Sequence, residues 1–254
     1  MKPRSLYRFC SLSAYTLGSL MNRTLWLAKP DTFNDPFDCA ITLDRTRFKE
    51  SIFHAVAVAL ERSKESGMSR QSLEGVFQGD KEAFEKLRSN LLSLTREMGI
   101  CCFSARSTHV LMWSHYADHH KGFCVEYDSG PGTDLRELAH QVRYSNTLPS
   151  LSLENFAPSR REDALDTMWL TKAAYWKYEK EWRVMMPKGN RNYNAPSRVR
   201  SVTFGVRMSE SDRVLVQQSL RHEEGIRFKQ ATLVDGRFLL RVSPLRRGAA
   251  SQSD

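Results

Sequence analysis

The chain has 254 residues, 41% of them hydrophobic and 10% aromatic, with a formal net charge of +9. That length and composition suffice for a substantial core and exclude a disordered chain, while five cysteines, an odd number, do not make a disulfide framework. The basic balance favours an anionic partner such as a nucleic acid, a nucleotide or an acidic surface.

Taken in chain order, Ser5–Cys10 predicts a short strand carrying Leu6-Tyr7-Arg8-Phe9. Ser11 and Ser13 are N-cap candidates for a helix with Leu17, Leu20 and Met21 at helical spacing. Leu25–Ala28 reads as a second strand, ended by Lys29-Pro30. Phe33-Asn34-Asp35-Pro36-Phe37-Asp38 is a turn-rich loop, because Asn and Asp bond locally to the backbone and Pro36 cannot continue a ladder. Residues 47–98 are predicted to form a helical insertion, broken at Gly67 and Gly79. Ile100–Ser104 is a buried strand; Thr108 caps a helix over His109–His120 that stops near Gly122. Gly122–Tyr127 and Gln141–Tyr144 follow as strands, Ser145–Arg161 as loop and Asp163–Tyr175 as helix. Glu179–Met186 and Val199–Val206 are strands, Glu210–Arg221 a helix, and Ile226–Val234 and Phe238–Val242 the last strands. Residues 246–254 read as a disordered tail. Short strands separated by helices without regular βαβ alternation predict a single α+β domain over 1–245. No apolar run is long enough to span a bilayer and no signal-peptide core is present, so a cytoplasmic location with reduced thiols is expected.

The chemistry concentrates at Tyr178–Met186. Alternation along a strand puts Glu179, Glu181 and Arg183 on one face and Lys180, Trp182 and Val184 on the other. Two carboxylates and a guanidinium are costly to bury without partners, and together they suit a cleft that handles a positively charged intermediate. The plain structural alternative is a solvated edge strand with an Arg–Glu pair. His115 and His119 stand at i, i+4, the spacing of metal ligands on one helical face, and His120 and Glu126 would complete a set. The glutamate that follows the first His in zincin helices is absent, so no metal is expected. His115 and Tyr116 are instead expected to line a nucleotide pocket or hydrogen-bond the Glu-x-Glu strand. Trp113 and Tyr116, at i, i+3, read as core packing or as an aromatic lining. A competing reading is a non-enzymatic basic nucleic-acid-binding or regulatory module using Arg191, Arg198, Arg200 and Arg246-Arg247. A nuclease using His115 with carboxylates is a third.

The blocks Leu6–Phe9, Phe33–Asp38, Cys102-Phe103-Ser104, Leu111–Asp118, Lys121-Gly122-Phe123 and Tyr178–Arg183 resemble, in order, the bacterial family called domain of unknown function 2971. That resemblance supplies relatives but no activity. A more distant resemblance is to mono-ADP-ribosyltransferases, which open on a strand bearing Arg or His, carry Ser or Tyr on a middle strand, and place Glu-x-Glu at the start of a later one. Arg8, Ser104 and the pair Glu179/Glu181 match those three motifs. The Ser-Thr-Ser signature common in that class is absent around Ser104. The resemblance implies a mainly antiparallel mixed sheet and cleavage of the nicotinamide–ribose bond of NAD. ADP-ribose would pass to water or to an unknown acceptor, protein or nucleic acid, in the setting of a toxin or an antiviral defence factor. On this reading Glu181 stabilises the oxocarbenium-like ribose, Glu179 activates the acceptor, Arg8 holds the pyrophosphate and Ser104 braces the ribose or Glu181. Arg8, Ser104 and Glu181 are therefore expected to converge on one cleft.

Overall fold

A computed structural model of the chain describes residues 2–43, 96–152 and 161–245, with single helical positions at Glu82, Glu85, Ser89 and Ser93. The helical insertion expected over 47–98 lies largely outside the described residues, and the tail 246–254 wholly so. The strands are β1 (Ser5–Cys10), β2 (Thr24–Leu27), β3 (Thr42–Leu43), β4 (Gly99–Ser104), β5 (Phe123–Asp128), β6 (Ala139–Gln141) and β7 (Arg143–Ser145). They continue as β8 (Ser150–Leu151), β9 (Thr171–Ala173), β10 (Glu181–Met186), β11 (Arg191–Asn194), β12 (Val199–Phe204), β13 (Arg227–Leu233) and β14 (Leu240–Pro244). The α-helices of the described residues include α1 (Ala14–Met21), α2 (Val110–Tyr116), α3 (Asp134–Leu138), α4 (Arg161–Trp169) and α5 (Glu210–Ser219). Contacts divide the chain into two compact units, one of Met1–Ala28, Gly99–Val142 and Tyr175–Asp254, the other of Lys29–Met98 and Arg143–Ala174.

The first unit is built on an eight-stranded sheet in the order β14-β13-β12-β5-β1-β4-β10-β6. Every neighbouring pair is antiparallel except β12–β13, so this is an α+β fold with a mixed, mostly antiparallel sheet. Strand alternation sorts its residues onto two faces. One face carries Leu6, Phe103, Val125, Trp182, Val184 and Val202, and closes a core against Leu20 of α1, Leu25 and Leu27 of β2, and Val216 of α5. Helix α1 is locally specified: Ser13 and Thr16 form a reciprocal capping box ahead of it. The opposite face carries Tyr7, Phe9, Cys124 and Ala231, and α2 covers part of it with Met112 and Trp113. Trp113 is fully buried, meets Phe9 edge-on at 5.2 Å, and donates its indole N–H to the Ser107 carbonyl at 2.8 Å.

Three elements depart from the sequence expectation. Helix α2 ends at Tyr116, four residues short of His120, and Asp118, His119 and His120 follow with φ of 44°, 53° and 71°. Left-handed backbone is costly for such residues. It is held here by tertiary bonds: the His120 N–H reaches the Trp113 carbonyl and the Arg207 N–H reaches the His120 carbonyl. His115 and His119 therefore do not share a helical face. The helix expected over Asp163–Tyr175 is α4, then β9, then a 3-10 helix over Ala174–Glu179. β11, which has no strong sequence signal, exists because it pairs with β2. Four of the five cysteines are buried free thiols, whereas Cys102 is exposed.

In the second unit β3 pairs with β8 and β7 with β9, both in parallel. The turn-rich segment around Asp35 forms as expected, its carboxylate accepting from the Phe37 N–H at 2.9 Å. Asp38 lies 3.4 Å from Lys172 in an ion pair buried on both sides. Among the described residues no helix is long and apolar enough to cross a membrane.

The left-handed turn also depends on Gly205, where an added Cβ would collide with the His120 carbonyl oxygen. Gly205→Ala should destabilise by about 2–3 kcal/mol, since rigid backbone must move. Gly18→Ala, inside α1 with open space around the new methyl, should stabilise by about 0.5–1 kcal/mol. Urea unfolding of both variants checks the pair; equal midpoints would remove the close-approach argument.

Candidate functional site

β10 begins at Glu181, not at Glu179. Glu179 closes the 3-10 helix Ala174–Glu179, and Lys180 between the carboxylates takes φ 49°. The two glutamates are thus not alternate residues of one strand, as simple alternation predicts. The reason lies on β4 and just beyond it. The Ser104 hydroxyl donates to the Glu179 carbonyl at 2.6 Å, and the Ala105 N–H to the Lys180 carbonyl at 3.0 Å, which turns the chain into register opposite Ser104. Ser104 is therefore a backbone brace and not a partner of the Glu181 carboxylate. Its oxygen also accepts the Arg106 N–H at 3.0 Å.

Both carboxylates are nonetheless 2% exposed and Arg183 is 0% exposed. Arg183 grips Glu181 with a two-pronged fork, Nε to Oε1 at 2.7 Å and Nη2 to Oε2 at 3.2 Å. Glu179 accepts the Tyr116 hydroxyl at 2.7 Å. The expected role of His115 thus passes to its neighbour: His115 is exposed, and its ring lies 6.1 Å from Tyr116 and 6.2 Å from Trp176. One residue along a helix is a turn of about 100°, enough to exchange the inward and outward positions. Around Glu179 stands a group of rings: His109 stacks on Tyr178 at 4.9 Å, and Trp176 tilts against Tyr178 at 6.0 Å. Burial, and then the charge of Arg106, push the His109 pKa down, and its Nδ1 is buried with no hydrogen-bond partner.

Arg8 does not join this cluster. Tyr7 is the cross-strand partner of both Ser104 and Glu126, and Ser104 pairs with Glu181, so those four share a face. Arg8, one residue on, points to the other face beside Cys10, Cys101 and Tyr127. The expected convergence of Arg8, Ser104 and Glu181 is corrected: the sheet separates Arg8 from the other two.

What the register does assemble is a row of polar side chains running Glu181, Ser104, Tyr7, Glu126, Ser201 across β10, β4, β1, β5 and β12. Glu126 is 6% exposed and accepts from Ser5 Oγ at 2.8 Å, Ser201 Oγ at 2.5 Å and Lys229 Nζ at 2.7 Å. Burial alone would raise its pKa, but those three donors together hold it below the usual carboxylate value. Burial, followed by the Glu126 charge, pushes the Tyr7 phenol up. Tyr7, Ser201 and Lys229 were not singled out by the sequence reading; the one available signal was a lone glutamate inside the apolar run Phe123–Tyr127. The arginines of the nucleic-acid reading are largely engaged: Arg200 and Arg198 lie 2.7 and 3.4 Å from Asp128, and Arg191 lies over the Tyr193 ring at 5.3 Å. Arg246 and Arg247 fall outside the described residues. Among the described residues no group of three or more His, Cys, Asp or Glu could hold a metal ion.

Residues 112–184 match a family described as protein of unknown function (DUF2971). The matched stretch includes Tyr116, Glu179, Glu181 and Arg183, and omits β1 with Arg8. No curated protein and no solved structure matches the chain.

The Glu126 network makes stability depend on acid. Its folded pKa lies below the ordinary value of about 4.3, so its contribution is present in full above that value and is lost as pH falls through the depressed one. Glu126→Gln should lower unfolding free energy by about 1–3 kcal/mol at pH 7, and the gap to wild type should shrink at pH 3. Urea titrations at the two pH values test this; a gap that does not change with pH contradicts it.

Proposed function

We propose that the protein is an enzyme of nucleotide glycosyl chemistry, cleaving the nicotinamide–ribose bond of NAD and passing ADP-ribose to water or to an acceptor. The observation that carries this reading is the pair of buried carboxylates, Glu179 and Glu181, each oriented by its own donor beside a group of rings. Breaking a glycosidic bond develops positive charge on the sugar, which a fixed carboxylate stabilises without reorganising in the transition state. Glu181, fixed by the Arg183 fork, takes that role on this reading. Glu179, two residues before the strand and accepting the Tyr116 hydroxyl, takes activation of the acceptor on this reading. The half-buried rings of Tyr178 and Trp176 offer stacking surface for a nicotinamide or adenine ring. Since Arg8 lies on the other face, the pyrophosphate falls to Arg106, an exposed cation whose backbone is tied to Ser104.

The Glu181–Arg183 pair complicates the obvious test. Removing one member of a buried ion pair takes a partner from the other charge, at a cost of about 3–5 kcal/mol, whereas replacing both with neutral groups is often tolerated. Glu181→Gln combined with Arg183→Met should therefore retain the wild-type circular dichroism spectrum and lose NAD-dependent nicotinamide release by about 10²–10³-fold. Glu179→Gln should reduce transfer to an acceptor more than simple NAD hydrolysis. Wild-type protein that neither binds NAD nor releases nicotinamide in the presence of cell extract would overturn the reading.

A further inference from the structure

The short helix before β10 presents more aromatic surface than the core takes up. The 3-10 helix Ala174–Glu179 carries Tyr175, Trp176 and Tyr178. With three residues per turn, Tyr175 and Tyr178 stand one above the other on one side of it, about 6 Å apart along the axis. Tyr178 stacks on His109 at 4.9 Å and meets Trp176 at 6.0 Å, and Trp176 meets His115 of α2 at 6.2 Å. His109, Tyr178, Trp176 and His115 thus form a continuous run of rings, the first three partly exposed and the last exposed. Tyr175 is 91% exposed, and among the described residues it has no ring contact and no hydrogen-bond partner. Nothing in the fold uses that ring, and its place one turn from the run extends a surface that other rings can stack on.

The cations beside these rings are unpaired. Arg106 and Lys177 are exposed and Lys180 is half-buried, and among the described residues none of the three side chains forms an ion pair or a hydrogen bond. Arg106 stands close enough to His109 for its charge to lower the pKa of that ring. The carboxylates of the same segment, Glu179 and Glu181, are buried and bonded to Tyr116 and Arg183, so neither is paired with those three cations. Residues 104–109 and 174–183 together carry four Lys or Arg and two Glu, which leaves a surplus of positive charge. Exposed rings interleaved with free cations are the chemistry that a single nucleic-acid strand meets: its bases stack on side-chain rings whatever their sequence, and its phosphates meet Lys and Arg. In a duplex the base faces are already stacked on one another, so the same rings have nothing to receive.

We propose that this surface binds single-stranded nucleic acid without sequence preference. Bases stack on Tyr175 and on the rings of Trp176 and His115, and phosphates meet Lys177, Lys180 and Arg106. Glu179 ends the same helix, so on the glycosyl-transfer reading the bound strand is the acceptor. The binding itself does not rest on that reading.

Fluorescence anisotropy of the full chain tests it with labelled probes of equal length: oligothymidylate, oligouridylate, a duplex of mixed sequence and an abasic deoxyribose-phosphate strand. At least one of the two single strands should bind, and the duplex and the abasic strand should bind at least about tenfold more weakly, since neither offers free base faces. Tyr175→Ala should weaken single-strand binding about tenfold and Tyr175→Phe should not, because the ring is what stacks. Lys177→Gln with Lys180→Gln should flatten the slope of log K against log salt by about 1.4, which is about 0.7 for each lost phosphate contact. Tyr175 and Lys177 are exposed, so the fold should persist. Glu181→Gln with Arg183→Met should bind the strand as wild type does. Strand binding by a wild-type protein that releases no nicotinamide would therefore overturn the glycosyl-transfer reading and leave this site standing. The proposal is overturned if neither single strand binds, if the abasic strand or the duplex binds as tightly as the single strands, or if Tyr175→Ala binds as tightly as wild type.

Discussion

A guanidinium and two carboxylates lie almost fully buried where β10 begins, and the surrounding backbone is arranged so that each has a partner. The bidentate fork between them helps to make Arg183 at 0% exposure and Glu181 at 2% tolerable. That geometry requires both residues on one face of a strand with one residue between them, which β10, beginning at Glu181, supplies. The strand start in turn requires the left-handed Lys180, the Ser104 brace on the Glu179 carbonyl, and the Tyr116 hydroxyl on the Glu179 carboxylate. Helix α2 is held in place for that last bond by fully buried Trp113 against Phe9 of β1. One buried ion pair thus constrains β10, the turn before it, the end of β4 and the pose of α2.

The sheet performs two separations at once. Its register lines up Glu181, Ser104, Tyr7, Glu126 and Ser201 on one face, about 4.8 Å apart from strand to strand. On the other face the same strands present Leu6, Phe103, Val125 and Val202 to an apolar layer. Arg8 is the exception on that layer, a cation among thiols and a phenol. The polar face carries the proposed glycosyl chemistry, and the apolar layer lies on the other side of the same sheet.

The turn after α2 shows how close packing overrides local preference. Asp118, His119 and His120 adopt left-handed backbone although none is glycine, and glycine is placed instead at Gly122 and Gly205, where other chain segments press against Cα. The steric demand for a missing Cβ at those crossings outranks the conformational demand in the turn.

Much of the architecture was legible in the sequence. The strands Ser5–Cys10, Ile100–Ser104, Gly122–Tyr127 and Val199–Val206, the helix capped at Ser13 and the helix from Glu210 were all visible as local patterns, because period and capping depend on neighbours in the chain. The residue types of the site, Glu179, Glu181, Arg183 and Tyr116, were visible as well. Which of them meet was not. A one-residue shift in where β10 starts, or a turn of 100° on α2, exchanges inside for outside. Those choices were made by long-range bonds: Ser104 to the Glu179 carbonyl, 75 residues apart, and Tyr116 to the Glu179 carboxylate, 63 apart. The face of Arg8 was decided in the same way, by the pairing of Tyr7 with Ser104 and Glu126. Local sequence determined the elements and the chemical groups they carry; pairing across the sheet decided which groups became neighbours.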